Sequence, residues 1–133
     1  MENLNDDNMC FVCGTANPQG LKLKFHHNEE TGQVESNVTF PIHLQGWKGV
    51  VHGGLVSTIL DEVMVKAAAK KKLKCVTGEI TVKFKKPTLT NQEYILRGKI
   101  VEIRKRIIFT EGFLLDRDEK VIASAKGKLF SFE

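Results

Sequence analysis

Residues 49–64 read GVVHGGLVSTILDEVM, and the fold turns on two features in them: a His52-Gly53-Gly54 turn and the apolar run behind it. The run continues to about residue 70, with Leu55, Val56, Ile59, Leu60, Val63, Met64, Ala67 and Ala68 recurring at intervals of three and four. That is a helical period. Its apolar positions cover more than half of the circumference, so the spacing predicts a mostly buried helix over about 53–70. The two glycines give the backbone freedom where the helix begins. The lysines of KKKLK (70–74) bring positive charge to its C-terminal end.

Around this helix the period changes from about four to two. LKLKFH (21–26) alternates apolar and basic residues and reads as a half-exposed strand. EETGQ is a turn, and VESNVTF alternates from Val34 to Phe40, so the two runs are expected to pair as a hairpin. PIHLQGWKGVV (41–51) has no clean period and reads as a loop. After the helix, VTGEITVKFKKP alternates at Ile80, Val82 and Phe84. EYILRGKIVEIRKR, IIFTEGFLLDRD and KVIASAKGKLFSF follow as three long strands with polar connections. Two strands, a helix and four strands with short links predict an α+β fold: a curved antiparallel sheet of about six strands and one long central helix. One helix covers one face of a sheet. Side chains such as Phe84 or Phe109 on the other face then require cover from a partner or solvent-tolerant neighbours, which points to a homo-oligomer.

The chain has 133 residues, 41% hydrophobic and 27% charged, which suits a single folded domain. We expect a flexible N-terminal tail over 1–9 and one domain over 10–133. The net charge of +4 reflects 20 basic against 16 acidic residues. That mild excess favours anionic ligands but is too small to point to nucleic acid. The basic runs KKKLK, KFKK (83–86) and RKR (104–106) also lack the interleaved aromatics of a single-strand binder. The acidic start MENLNDDN does not resemble a secretory leader, and no apolar stretch is long enough to span a membrane. Three cysteines, an odd number, fit a reducing compartment, so a cytoplasmic location is expected.

The chemistry-bearing residues gather in the opening stretch. At a helix N-terminus the first amides lack intrahelical partners and carry partial positive charge. Bare backbone at Gly53 or Gly54 could therefore polarise a carbonyl oxygen. Glu62 and Lys66 are four apart and can pair with one another. Asp61 has no basic residue three or four positions away; its side of the helix carries Ser57, Thr58, Val65 and Ala68. A carboxylate in such surroundings is either bonded to hydroxyls for structure or serves as base or nucleophile. Cys10-x-x-Cys13 lacks a second ligand pair at metal spacing and the βαβ setting of a redox motif, so no metal is expected.

GVVHGG followed by LVSTILDE, then a strand ending VKFKKP, with CFVCGTANPQGLKLKF upstream, resembles the hotdog-fold thioesterase superfamily, specifically the PaaI-like acyl-CoA thioesterases. The resemblance covers about residues 10–132. It implies a curved sheet wrapped around a central helix, dimers or tetramers with active sites at the dimer interface, and hydrolysis of an acyl-CoA thioester. No cofactor is implied beyond the coenzyme A of the substrate itself. Asp61 is the implied general base or nucleophile, and Gly53 or Gly54 the amide that polarises the carbonyl. Thr77, ten residues before Pro87, is the implied water-positioning hydroxyl. His52, Gln45, Ser57 and Thr58 are the accompanying substrate-site candidates. The family often has Asn or Gln about six residues before the histidine; here that position is Gly46, beside Gln45. It often has a small residue soon after the acid, where this chain has Val63, Met64, Val65 and Lys66. Two other activities use such a scaffold: non-catalytic acyl-CoA binding, and hydration or dehydration of an enoyl-CoA. The second lacks its HFPGHFP stretch here.

Overall fold

The helix forms over the expected residues, with α1 spanning Gly53–Lys70 in a computed structural model that describes residues 4–132. Val56, Ile59, Leu60, Val63, Met64, Ala67 and Ala68 are buried, which is the wide apolar surface read from the period. Lys70 lies in the last turn, where its charge complements the helix dipole. Lys72, two residues past the helix, takes a positive φ of 61°.

The six strands are β1 (His26–His27), β2 (Val34–Thr39), β3 (Cys75–Phe84), β4 (Glu93–Arg104), β5 (Ile107–Leu115) and β6 (Val121–Ser131). All pairings are antiparallel, and the order across the sheet is β1-β2-β4-β5-β6-β3. The sheet curves around α1, which touches β2 through β6. This is the hotdog architecture. The chain leaves α1 to form β3 at the far edge, so among the described residues β3 pairs only with β6 and its other edge is free.

Several expectations change in detail. Residues 21–25 are not a strand. Leu21 and Leu23 donate their amides to the carbonyls of Phe11 and Val12 (2.8 and 2.9 Å), and Lys22 has a φ of 53° that breaks extended geometry. Only His26 and His27 pair with β2, opposite Glu35 and Val34. Leu21, Leu23 and Phe25 still pack on the core, so the alternation reported burial, not strand pairing. Of the expected tail, residues 1–3 lie outside the described residues, as does Glu133 at the other end. Asn8 and Met9 are tied in: their carbonyls accept from Ala16 N (3.0 Å) and Asn17 Nδ2 (3.1 Å).

Phe84 is not on the outer face. It follows Ile80 and Val82 along β3, both of which pack on the helix side, and its ring lies over Gly53 at the start of α1. Phe109 is on the outer face, where the Arg104 guanidinium stacks 4.8 Å from its ring centre. That face also carries ion pairs, beside exposed apolar side chains such as Val101 and Phe130. Lys99 meets Glu111 at 3.7 Å and Lys128 meets Glu79 at 3.1 Å. Glu35 is bonded to Arg97, which also reaches Glu119 at 2.6 Å. Burial alone would lower the Arg97 pKa, but its bonds to Glu119 and Glu35 outweigh that and raise it.

Val63 and Met64 send their bulk into the sheet. They face Gly98 of β4, Gly112 of β5 and Gly127 of β6, and Gly98 and Gly112 are direct cross-strand partners. A Cβ on Gly98 would lie 2.5 Å from the Val63 carbonyl oxygen. Backbone cannot rotate aside as a side chain can. Gly98→Ala is therefore expected to destabilise the fold by about 1–3 kcal/mol, read as a lower urea midpoint with an unchanged slope. A midpoint equal to wild type would mean that α1 stands further from the sheet than described.

Candidate active site

The loop before α1 is held from two sides. Val51 donates to the Thr88 carbonyl (2.8 Å) and His52 to the Leu44 carbonyl (3.1 Å). His52 is the helix N-cap: its Nδ1 accepts from Gly54 N–H at 3.0 Å. Leu55 and Val56 donate to the His52 carbonyl (2.9 and 3.3 Å). Of the first four helix amides, only Gly53 N–H has no protein acceptor among the described residues. The capping bond thus separates the two candidate glycines. Gly54 is spent on the histidine, and Gly53 is left for a ligand.

Gly53 lines a cleft of about 730 Å³ with Trp47, His52, Phe84, Lys85 and Lys86 among its walls. Trp47 is 85% exposed. Gln45 lies in the preceding loop, where its Oε1 accepts from Gly49 N–H at 2.9 Å; Gly49 has a φ of 77°, so the side chain steadies a strained turn. Ser57 and Thr58 donate to the carbonyls of Gly53 and Gly54 (3.2 and 2.8 Å). Their hydroxyl protons are committed to the helix backbone, not to Asp61.

The hydroxyl on Asp61 comes instead from Thr77, whose Oγ1 donates to Asp61 Oδ1 at 2.6 Å. A β-bulge makes this contact. In β3, Thr77 pairs with Leu129 and Glu79 with Lys128, leaving Gly78 as the extra residue. Strict alternation from Ile80 and Val82 would turn position 78 inward and Thr77 outward. The inserted glycine reverses that, so Thr77 faces the helix. Cys75 follows on the same side and packs near Ala68. Burial and then the Asp61 charge raise its thiol pKa. Glu62 pairs with Lys66 at 3.8 Å, as its spacing implied.

Asp61 and Gly53 do not share a pocket within one chain. Eight residues of helix separate them by about 12 Å along the axis. A carbonyl carbon and its oxygen are only about 1.2 Å apart. Each would need a group within about 3 Å, so one thioester cannot touch both from the same chain.

The Lys85 and Lys86 side of the cleft carried a basic run in the sequence, but nothing there distinguished it from the other two runs. Phe84 carried only the period of a strand, and Trp47 carried no signal of a site. His52→Ala removes the cap acceptor and is expected to cost about 1 kcal/mol of unfolding free energy; His52→Asn, which keeps an acceptor, restores most of it. Equal losses in the two variants by urea denaturation would show that the ring packs rather than caps.

Residues 48–123 match the model of the thioesterase superfamily. The acyl-coenzyme A thioesterase THEM4 of Rattus norvegicus is 28% identical over 111 residues, covering 84% of this chain and 48% of the relative. The chain thus spans about half the length of the curated relatives it matches. The crystal structure of RHA08564, a thioesterase superfamily protein, aligns with a TM-score of 0.86 at 29% identity, over 93% of this chain and 60% of the other. The PaaI protein of E. coli aligns with a TM-score of 0.75 over 83% of each chain; at 17% identity this speaks to the fold alone. With more than half its length matched by the family model and its sheet wrapped around α1, the chain belongs to the thioesterase superfamily.

Proposed function

We propose that this chain hydrolyses acyl-coenzyme A thioesters to a free carboxylic acid and coenzyme A. The observation that carries the reading is the presence on one helix of a hydroxyl-anchored carboxylate, Asp61, and of an N-terminal amide, that of Gly53, with no protein acceptor among the described residues. The relative named an acyl-coenzyme A thioesterase supports the substrate class.

In the proposed reaction the thioester carbonyl oxygen accepts from Gly53 N–H. Asp61 takes a proton from water as the water oxygen bonds to the carbonyl carbon; direct attack by the carboxylate is the variant route. Negative charge gathers on the carbonyl oxygen, where the amide and the helix N-terminus stabilise it. The C–S bond then breaks, and the coenzyme A sulfur leaves and takes up a proton. Thr77 fixes the rotation of the carboxylate, and its lone pairs can accept from the water. His52 shapes the turn and commits Gly54, so the oxyanion meets Gly53. No cofactor enters; coenzyme A is part of the substrate.

The 12 Å separation gives the reading its quaternary form. Asp61 is bonded to Thr77 of β3, whose outer edge is free among the described residues. A second copy joined along that edge would bring its Asp61 toward the Gly53 of the first. We therefore propose a homodimer, alone or paired into a tetramer, with two shared sites. Lys85 and Lys86 flank the cleft beside Gly53, and we assign them to the coenzyme A phosphates. The helix end with Lys70 lies about 25 Å further along α1. The three free cysteines fit a reducing compartment such as the cytoplasm.

Gly53 is the first residue after the cap, a position that tolerates proline. His52 has a ψ of 129°, within the extended range that a following proline prefers. Gly53→Pro thus deletes one N–H and keeps the helix. In a thiol-release assay with an acyl-coenzyme A panel, Gly53→Pro is expected to lose about 10²–10³-fold in kcat. Asp61→Asn should lose about 10²–10⁴-fold. Co-expressing the two variants should restore turnover, because a mixed dimer rebuilds one complete site. Full activity in Asp61→Asn overturns the mechanism. No restoration on mixing places both groups in one chain. Binding of acyl-coenzyme A without thiol release makes the chain a binding module.

A further inference from the structure

The Cys10–Cys13 turn touches α1 at Glu62, and neither the thioesterase reading nor the helix packing uses it. Cys10 Sγ accepts from the amides of Val12 and Cys13, both at 3.4 Å. Gly14 closes the turn by donating to the Cys10 carbonyl at 2.9 Å. A Cβ at Gly14 would lie 2.4 Å from Cys10 N, so the chain folds back on itself there too tightly for a side chain. Two amides are aimed at one sulfur.

The Sγ atoms of both cysteines and a Glu62 carboxylate oxygen lie within 4.8 Å of one another, and all three residues are half-buried. Cys10 Sγ is 3.8 Å from Glu62 Oε2. In a tetrahedral zinc site, with Zn–S near 2.3 Å and Zn–O near 2.0–2.2 Å, neighbouring ligand atoms stand roughly 3.5–3.8 Å apart. One pair is already at that spacing, and the others, no more than 4.8 Å apart, need to close by at most about 1 Å. We propose that Cys10, Cys13 and Glu62 bind one thiophilic divalent cation, zinc by ligand chemistry, with water as the fourth ligand.

A redox pair is the weaker account of the same cysteines. Cys10 and Cys13 lie in a turn with no helix following it before residue 25, outside the βαβ setting of a redox pair. The cluster also draws positive charge already. Lys66 Nζ lies 3.8 Å from Glu62 Oε2. A divalent cation would compensate three acidic groups where one ammonium compensates them in part. Lys66 is 31% exposed, so it can swing toward solvent when the cation enters. The effect would be structural. Residues 10–25 form no helix or strand, and the cation would pin them to α1 beside Asp61.

The test uses the full chain, reduced, with its thiols counted, stripped with chelator and then titrated with Co²⁺. One equivalent should produce thiolate-to-cobalt charge transfer and the visible bands of a tetrahedral site, both displaced by Zn²⁺. Zinc should raise the melting temperature. Cys10→Ser and Cys13→Ser should lose the charge-transfer band, and Glu62→Gln should weaken cobalt binding by about 10-fold or more. Lys66→Met should strengthen it, which loss of folding cannot mimic, and Cys75→Ser should leave it unchanged. The proposal is overturned by no charge transfer in the reduced wild type, by a band that survives in the Cys10/Cys13 double variant, or by recovery of a Cys10–Cys13 disulfide from reducing buffer.

Discussion

The approach of α1 to the sheet at Val63 and Gly98 sets the rest of the molecule. A helix with large residues at 63 and 64 can sit close to a sheet only where the sheet has no side chains, and Gly98, Gly112 and Gly127 lie across three adjacent strands at that place. The close seat fixes the rotation of the helix. With Val63 and Met64 turned inward, Asp61 is carried round toward β3 and Glu62 toward the N-terminal turn. The positions of both acids follow from packing rather than from anything the acids themselves prefer.

Thr77 depends on a second departure from regularity. The bulge at Gly78 changes which face of β3 the residues before it present. The apolar alternation ends at Ile80, and a polar contact with the helix begins at Thr77. A Cβ at Gly78 would lie 1.8 Å from the Phe130 ring, so the bulge is packed against β6 as well as open in its backbone. One inserted residue thereby converts an edge strand from a purely structural element into one that anchors a carboxylate.

Much of this was readable in the sequence because it rests on local period. The helix bounds, the strands over β2 to β6 and the Glu62–Lys66 pair all come from residues near one another in the chain. What escaped depends on distant partners. Leu21, Leu23 and Phe25 alternate as a strand does, yet the amides of Leu21 and Leu23 find Phe11 and Val12 rather than a sheet. Phe84 alternates correctly, but which face its parity meant could be known only once Gly53 lay beneath its ring. Thr77 was reachable by resemblance and not by alternation, since the bulge inverts its face. Cys10 and Cys13 showed no further ligand in the sequence because the carboxylate the fold brings beside them, Glu62, is more than fifty residues away.

The geometry of the helix also constrains how such a site can work. An α-helix is stiff over eight residues, so the distance from Gly53 to Asp61 does not close by local flexing. Either the two groups serve different ligands, or a second chain supplies the missing half. The free edge of β3 favours the second answer on physical grounds of its own. A long unpaired edge is a standing invitation to association, and joining it to a like edge removes the hazard. Under that arrangement the strand that carries Thr77 would both build the interface and hold the carboxylate delivered across it. Loss of the dimer would then abolish catalysis without disturbing a single contact within either chain.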